Sequence, residues 1–192
     1  LHIKEVKTSR VNIVRSIVSE SIKLDSITVR GGYADIYQDL TYPHTTVQRP
    51  IQSLLAKVTL PLDLKLVTVS LDRFHYTFTA GIFPPSTLNM NSMNVKIKNL
   101  GNIDTRDVVI DLKCNVDGGG GRMSATMNLV KDKESTWNEH ILVENGDFKA
   151  YNGFLGKLAG AQVSGELNRL EVKASGDTMN AYGTFVMEYK DL

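Results

Sequence analysis

A single cysteine, Cys114, stands among the 192 residues, which excludes an intrachain disulfide and a cysteine-rich metal site. No run of ~18 apolar residues occurs, so nothing in the chain spans a membrane as a helix. Charge of one sign is lacking too: 22 Lys and Arg face 21 Asp and Glu, a net charge of +1. Nucleic-acid binding rests on concentrated positive charge, so that partner class has no electrostatic support. No block of like charges marks an interaction tail. There is no signal peptide and no initiator Met. The chain opens on the strand-like Leu1-His2-Ile3-Lys4. It is read as an excised piece of a longer polypeptide, with any targeting or anchoring segment expected outside it.

What is present is alternation. From Leu62 to Tyr189 apolar and polar residues trade places in segment after segment, as in Leu62-Asp63-Leu64-Lys65-Leu66, Val108 to Val116, Met123 to Leu129 and Leu167 to Ala174. Successive strand side chains point to opposite faces, so this rhythm predicts β-strands with one greasy and one wet face. The hydrophobic fraction of 42% is that of a folded domain, not a disordered one.

Along the chain, residues 1–40 read as several strands. Ile22 and Leu24 share one parity and Ile27 and Val29 the other, which predicts a bulge or turn near Ser26. Gly31-Gly32 reads as a hairpin, with a further strand from Tyr33 to Leu40. Pro43 and Pro50 break the pattern. Ile51, Leu54, Leu55 and Val58 then fall at helical spacing, predicting a short amphipathic helix over 50–58. The next strands are expected near 62–72, 73–80, 87–98, 107–116, 121–130, 135–143, 163–174 and 180–190. Gly118 to Gly121 reads as a flexible hairpin tip. A phosphate cradle is the weaker reading, because no helix start with Lys and Ser or Thr follows. Phe148, Tyr151, Phe154, Leu155 and Leu158 suggest a second short helix, weakened by Gly153, Gly156 and Gly160. An extended, partly helical crossover is the alternative, and the segment is expected to lie over the sheet or plug one end of it. The organisation expected is strands over 1–40 continuing a preceding β unit, a Pro-bounded connector over 41–61, and a β unit over 62–192.

No catalytic constellation stands out, and the chain is not expected to be an enzyme. His2, His44, His75 and His140 have no ligand spacing. No metal and no cofactor is predicted. His75 is expected on the solvent side of its strand and His44 in a loop. Asp63, Asp72, Asp111, Glu139, Glu166, Glu171 and Glu188 are scattered singly, most on polar parity. No Gly-x-Ser-x-Gly elbow occurs. Cys114 falls on the apolar parity of Val108, Ile110, Leu112 and Val116 and reads as a small buried hydrophobe.

The order of features from Leu60 onward resembles a known family. Leu60 to Val69 leads into the aromatic strand Phe74-His75-Tyr76-Thr77-Phe78, and Met93 to Leu100 follows. Phe148 to Gly156 precedes Val172-Lys173-Ala174-Ser175-Gly176. The chain closes on Gly183-x-Phe185-x-x-x-Tyr189-x-Asp191-Leu192. This looks like the repeated β unit of AsmA-like proteins, large envelope proteins of diderm bacteria, over roughly the last two thirds of the chain. The Gly118 to Gly121 run and the absence of the family's membrane anchor depart from that pattern.

The resemblance implies an elongated, taco-shaped sheet in the periplasm, along whose hydrophobic trough phospholipid acyl chains move between membranes. It also implies membrane association through segments outside this chain. The expected fold is therefore mainly β, an antiparallel and strongly curved groove-like sheet with one or two short helices, with a β-sandwich as the alternative. An acyl chain needs a dry surface, since each buried CH₂ contributes about 0.8 kcal/mol. Alternate residues of many strands supply one. The lipid-contacting residues expected are Ile110, Leu112, Met123, Met127, Leu129, Phe185 and Met187; the same residues would equally form the core of a sandwich. Met90, Met93, Met123, Met127 and Met187 suit a surface that accepts varied apolar partners. A cell-surface adhesion or binding module, with its function in loops 41–50, 81–86 and 117–121, is the competing functional reading.

Overall fold

The parity of the apolar residues determines how this chain folds, and the strands follow it closely. The computed structural model describes residues 1–9, 21–39, 61–79, 85–102, 106–130, 136–153, 162–177 and 180–191. These contain β1 (His2–Thr8), β2 (Ile22–Leu24), β3 (Ile27–Asp39), β4 (Leu62–Thr79), β5 (Ser86–Gly101), β6 (Val108–Val116), β7 (Gly121–Leu129), β8 (Trp137–Asp147), β9 (Glu166–Gly176) and β10 (Ala181–Lys190), with one 3₁₀ turn at Phe148–Tyr151.

All ten strands belong to one sheet in the order β1-β3-β4-β5-β6-β7-β8-β9-β10, with β2 pairing β4. The sheet is curved and does not close into a barrel. Its pairs are antiparallel except that β2 and β3 both run parallel to β4. A parallel pair cannot be joined by a tight turn, so the chain must cross over between β3 and β4. The helix expected over 50–58 falls in that connection, outside the described residues, as does His44.

Two expectations are corrected. Residues 62–72 and 73–80, expected as separate strands, form the single strand β4. Gly31 and Gly32 do not turn a hairpin but lie inside β3. Both differences have one cause. Val67, Val69 and Leu71 are odd-numbered, whereas Phe74, Tyr76 and Phe78 are even. The same switch occurs in β5, from Ile97, Val95 and Met93 to Met90 and Leu88, and in β3, from Ile27 and Val29 to Ala34 and Ile36. It falls on one row, where the Gly32–Asp72 and Asp72–Ser92 pairings are missing and Ser92 has φ +52. A slip in one strand would turn its apolar set to the wrong face. Here neighbouring strands slip together and pairing resumes in register. Ala34, Leu71, Met90 and Met93 consequently share one cluster although their parities differ. Gly31 fits this row because a Cβ there would stand 2.6 Å from Leu71 Cδ2.

A second such row lies near Asp25, Lys65 and Asn99, where Asn99 has φ +58. It unites Leu24 and Leu64 with Val67, Ile27 and Ile97. The first row ends at β6, whose apolar residues keep one parity from Val108 to Val116. Register with β5 slips between Asn91 and Asn94, so β5 carries the extra residue as a bulge. The remaining strand positions follow expectation, as do the Gly118–Gly121 hairpin tip and the break before Ile27.

Candidate functional site

From β6 to β10 the alternation sorts side chains into two faces. On one face, Cα partners run across the strands in rows. Leu112, Ala125, Ile141, Val172 and Phe185 form one row, and Val69 and Val95 extend it through β4 and β5. A second row is Cys114, Met123, Val143, Leu170 and Met187, and a third is Val67, Ile97, Ile110, Met127, Glu139, Ala174 and Gly183. All seven residues expected to contact lipid, Ile110, Leu112, Met123, Met127, Leu129, Phe185 and Met187, stand on this face. Neighbouring strands lie about 4.8 Å apart, so a row from β4 to β10 extends roughly 29 Å.

The middle row is the least covered. Val69, Val95, Leu112, Ala125, Ile141 and Val172 are half-buried, and Phe185 is 62% exposed. In a closed two-layer sandwich the centre of the inner face is the driest place, because the second sheet's side chains fill it. Buried residues flank this row on both sides, Leu71, Met93, Cys114 and Val143 on one and Val67, Val108 and Leu129 on the other.

One end is covered by the segment after β8. Asp147 caps the 3₁₀ turn by accepting from Lys149 N at 2.8 Å. Phe148 packs with Val143 and Leu167, and Tyr151 packs against both this cluster and the one that contains Cys114. Tyr151 Oη donates to Gly120 O in the β6–β7 hairpin, and Ser86 Oγ donates to Gly153 O. Burial at this end pushes the Tyr151 hydroxyl up to about 12 and the Cys114 thiol up to about 11. Neither group is ionised near neutrality. Phe154, Leu155 and Leu158 of this segment lie outside the described residues.

No protein-family model, curated protein or solved structure matches this chain.

The opposite face is mostly polar, with Val109, Leu142 and Val186 among its charged and hydroxyl-bearing neighbours. Asp111 accepts from Lys98 Nζ at 3.2 Å and Thr126 Oγ1 at 3.1 Å. Asn128 donates to Asn138 at 2.8 Å, and His75 Nδ1 meets Asp35 Oδ1 at 2.8 Å. Glu171 gathers three bases: His140 Nε2 at 2.7 Å, Lys173 Nζ at 3.0 Å and Arg169 at 3.0 Å. Among the described residues no group of three or more His, Cys, Asp and Glu could hold a metal ion. His75 is on the wetted side, as its parity predicts.

Sequence reasoning missed one functional-looking residue. Glu139 was grouped with the solvent-side acids, yet it shares a face with Trp137, Ile141 and Val143. The parity of β8 was sufficient to find it: Trp137, Glu139, Ile141 and Val143 are all odd-numbered.

Proposed function

We propose that this chain is a lipid-handling segment of a cell-envelope protein of a diderm bacterium, whose apolar sheet face binds or conducts phospholipid acyl chains between membranes. On this reading it is a binding element without catalytic chemistry, and the rest of the protein anchors it to a membrane. The observation that carries the proposal is the row from Val69 to Phe185: one apolar residue on each of seven successive strands, none of them buried. A face whose only role was to form a core would bury its middle first. The resemblance to AsmA-like units supports the same reading and supplies the envelope setting.

Acyl chains are recognised by area, at about 25 cal/mol per Å² of apolar surface removed from water, and not by particular side chains. A long uniform face suits that task. Methionines at positions 123, 127 and 187 give it side chains that adapt to different chains.

The test is incubation with phospholipid followed by native mass spectrometry. Wild-type protein is expected to retain lipid. A Leu112→Asp, Phe185→Asp double variant, checked for folding by circular dichroism, is expected to lose it. No lipid retained by the wild type at any ratio would overturn the proposal.

A further inference from the structure

Glu139 is the only charged residue among the described residues of the apolar face between β6 and β10. It is half-buried, and no described side chain bonds to it. The bases nearest in register are engaged on the other face, where His140 and Lys173 both pair with Glu171. An isolated carboxylate among apolar side chains is costly unless something pairs with it.

Its surroundings are asymmetric. Across β7, β6, β5 and β4 its row continues as Met127, Ile110, Ile97 and Val67, an apolar track of about 19 Å at 4.8 Å per strand. In the other direction its partners are Ala174 and then Gly183, which present almost no side chain. The row therefore offers apolar bulk on one side of the carboxylate and almost no side chain on the other. Trp137, the sole tryptophan, precedes Glu139 by two positions on the same face. Its ring lies over Gly176, where a Cβ would stand 3.0 Å from Trp137 Cζ2.

We propose that Glu139 is the head-group contact of the bound lipid and that the preferred lipid carries a primary ammonium. The acyl chain lies over Met127, Ile110, Ile97 and Val67. The head sits above Ala174 and Gly183. The ammonium meets the Glu139 carboxylate and the neighbouring indole face, a cation–π partner that a neutral or anionic head could not use. This inference rests on the lipid-binding reading and adds head-group selectivity to it.

The test compares lysophosphatidylethanolamine with lysophosphatidylglycerol of the same acyl chain, below their micelle concentrations, by isothermal titration. The wild type is expected to bind the ethanolamine lipid roughly five- to tenfold more tightly, the scale of one partly exposed charge contact. Glu139→Gln is expected to abolish the preference while still binding both, and Glu139→Lys to reverse it. Equal wild-type affinities, or a preference that persists in Glu139→Gln, would overturn the head-group assignment and leave the lipid-binding reading standing. Binding of neither lipid to the wild type would overturn both.

Discussion

Asn152 holds Val163 at two points: its side-chain amide donates to Val163 O at 2.7 Å, and its side-chain oxygen accepts from Val163 N at 2.8 Å. The pair closes the base of the segment between β8 and β9, so the 3₁₀ turn is pinned over the end of the apolar face. Each such bond contributes about 0.5–1.5 kcal/mol net, and more when loss of a partner leaves buried backbone unpaired. Asn152→Ala is therefore expected to lower stability by about 1–3 kcal/mol in urea denaturation. An unchanged urea midpoint would show that the clamp contributes nothing to folding.

The strands were legible because each buries one face against little else; alternation is then the dominant signal, and it set β6, β7 and β10 to within two residues. It failed where two strand rules conflict. At Asp72 the parity flips, which in a single sequence looks like the end of a strand. Only the matching flips at Gly32 and Ser92 show that the strand continues, and those partners are distant in sequence. The parallel β3–β4 pairing was hidden for the same reason, since local pattern carries no pairing direction. The apolar face was readable as a set of residues. That its middle row is incompletely covered was not, because a trough and a sandwich core require the same side chains.

On the polar face, Glu171 is the hub of a charged cluster with a predictable acid response. The hydrogen bond from Lys173 holds its carboxyl below the ordinary value of 4.5, helped by the hydrogen bond from His140 and the charges of Lys173 and Arg169. A carboxylate depressed in the folded state stabilises fully above its unfolded pKa, and that contribution is lost as pH falls through the folded value. Urea midpoints of the wild type are therefore expected to fall below about pH 4.5 more steeply than those of Glu171→Gln. Above that pH the Gln variant is expected to be the less stable of the two. Parallel pH profiles would show that the cluster is too well solvated to matter.

Cys114 offers a probe of the covered end. The residue is 5% exposed, and desolvation raises the thiol pKa to about 11. The thiolate is the species that alkylates, so at pH 8 the native thiol is expected to react with iodoacetamide about a hundredfold more slowly than the unfolded one. Tyr151 packs against the cluster that contains Cys114, and Asn152 positions Tyr151 through the clamp on Val163. Loosening that clamp exposes the thiol before the sheet itself unfolds, because the β6 and β7 ladders around Cys114 do not involve Asn152. Asn152→Ala is thus expected to speed labelling of Cys114 in buffer, with far-ultraviolet circular dichroism unchanged. Equal labelling rates in the two proteins would mean that the thiol is shielded by the sheet alone, and that the segment after β8 does not act as a plug.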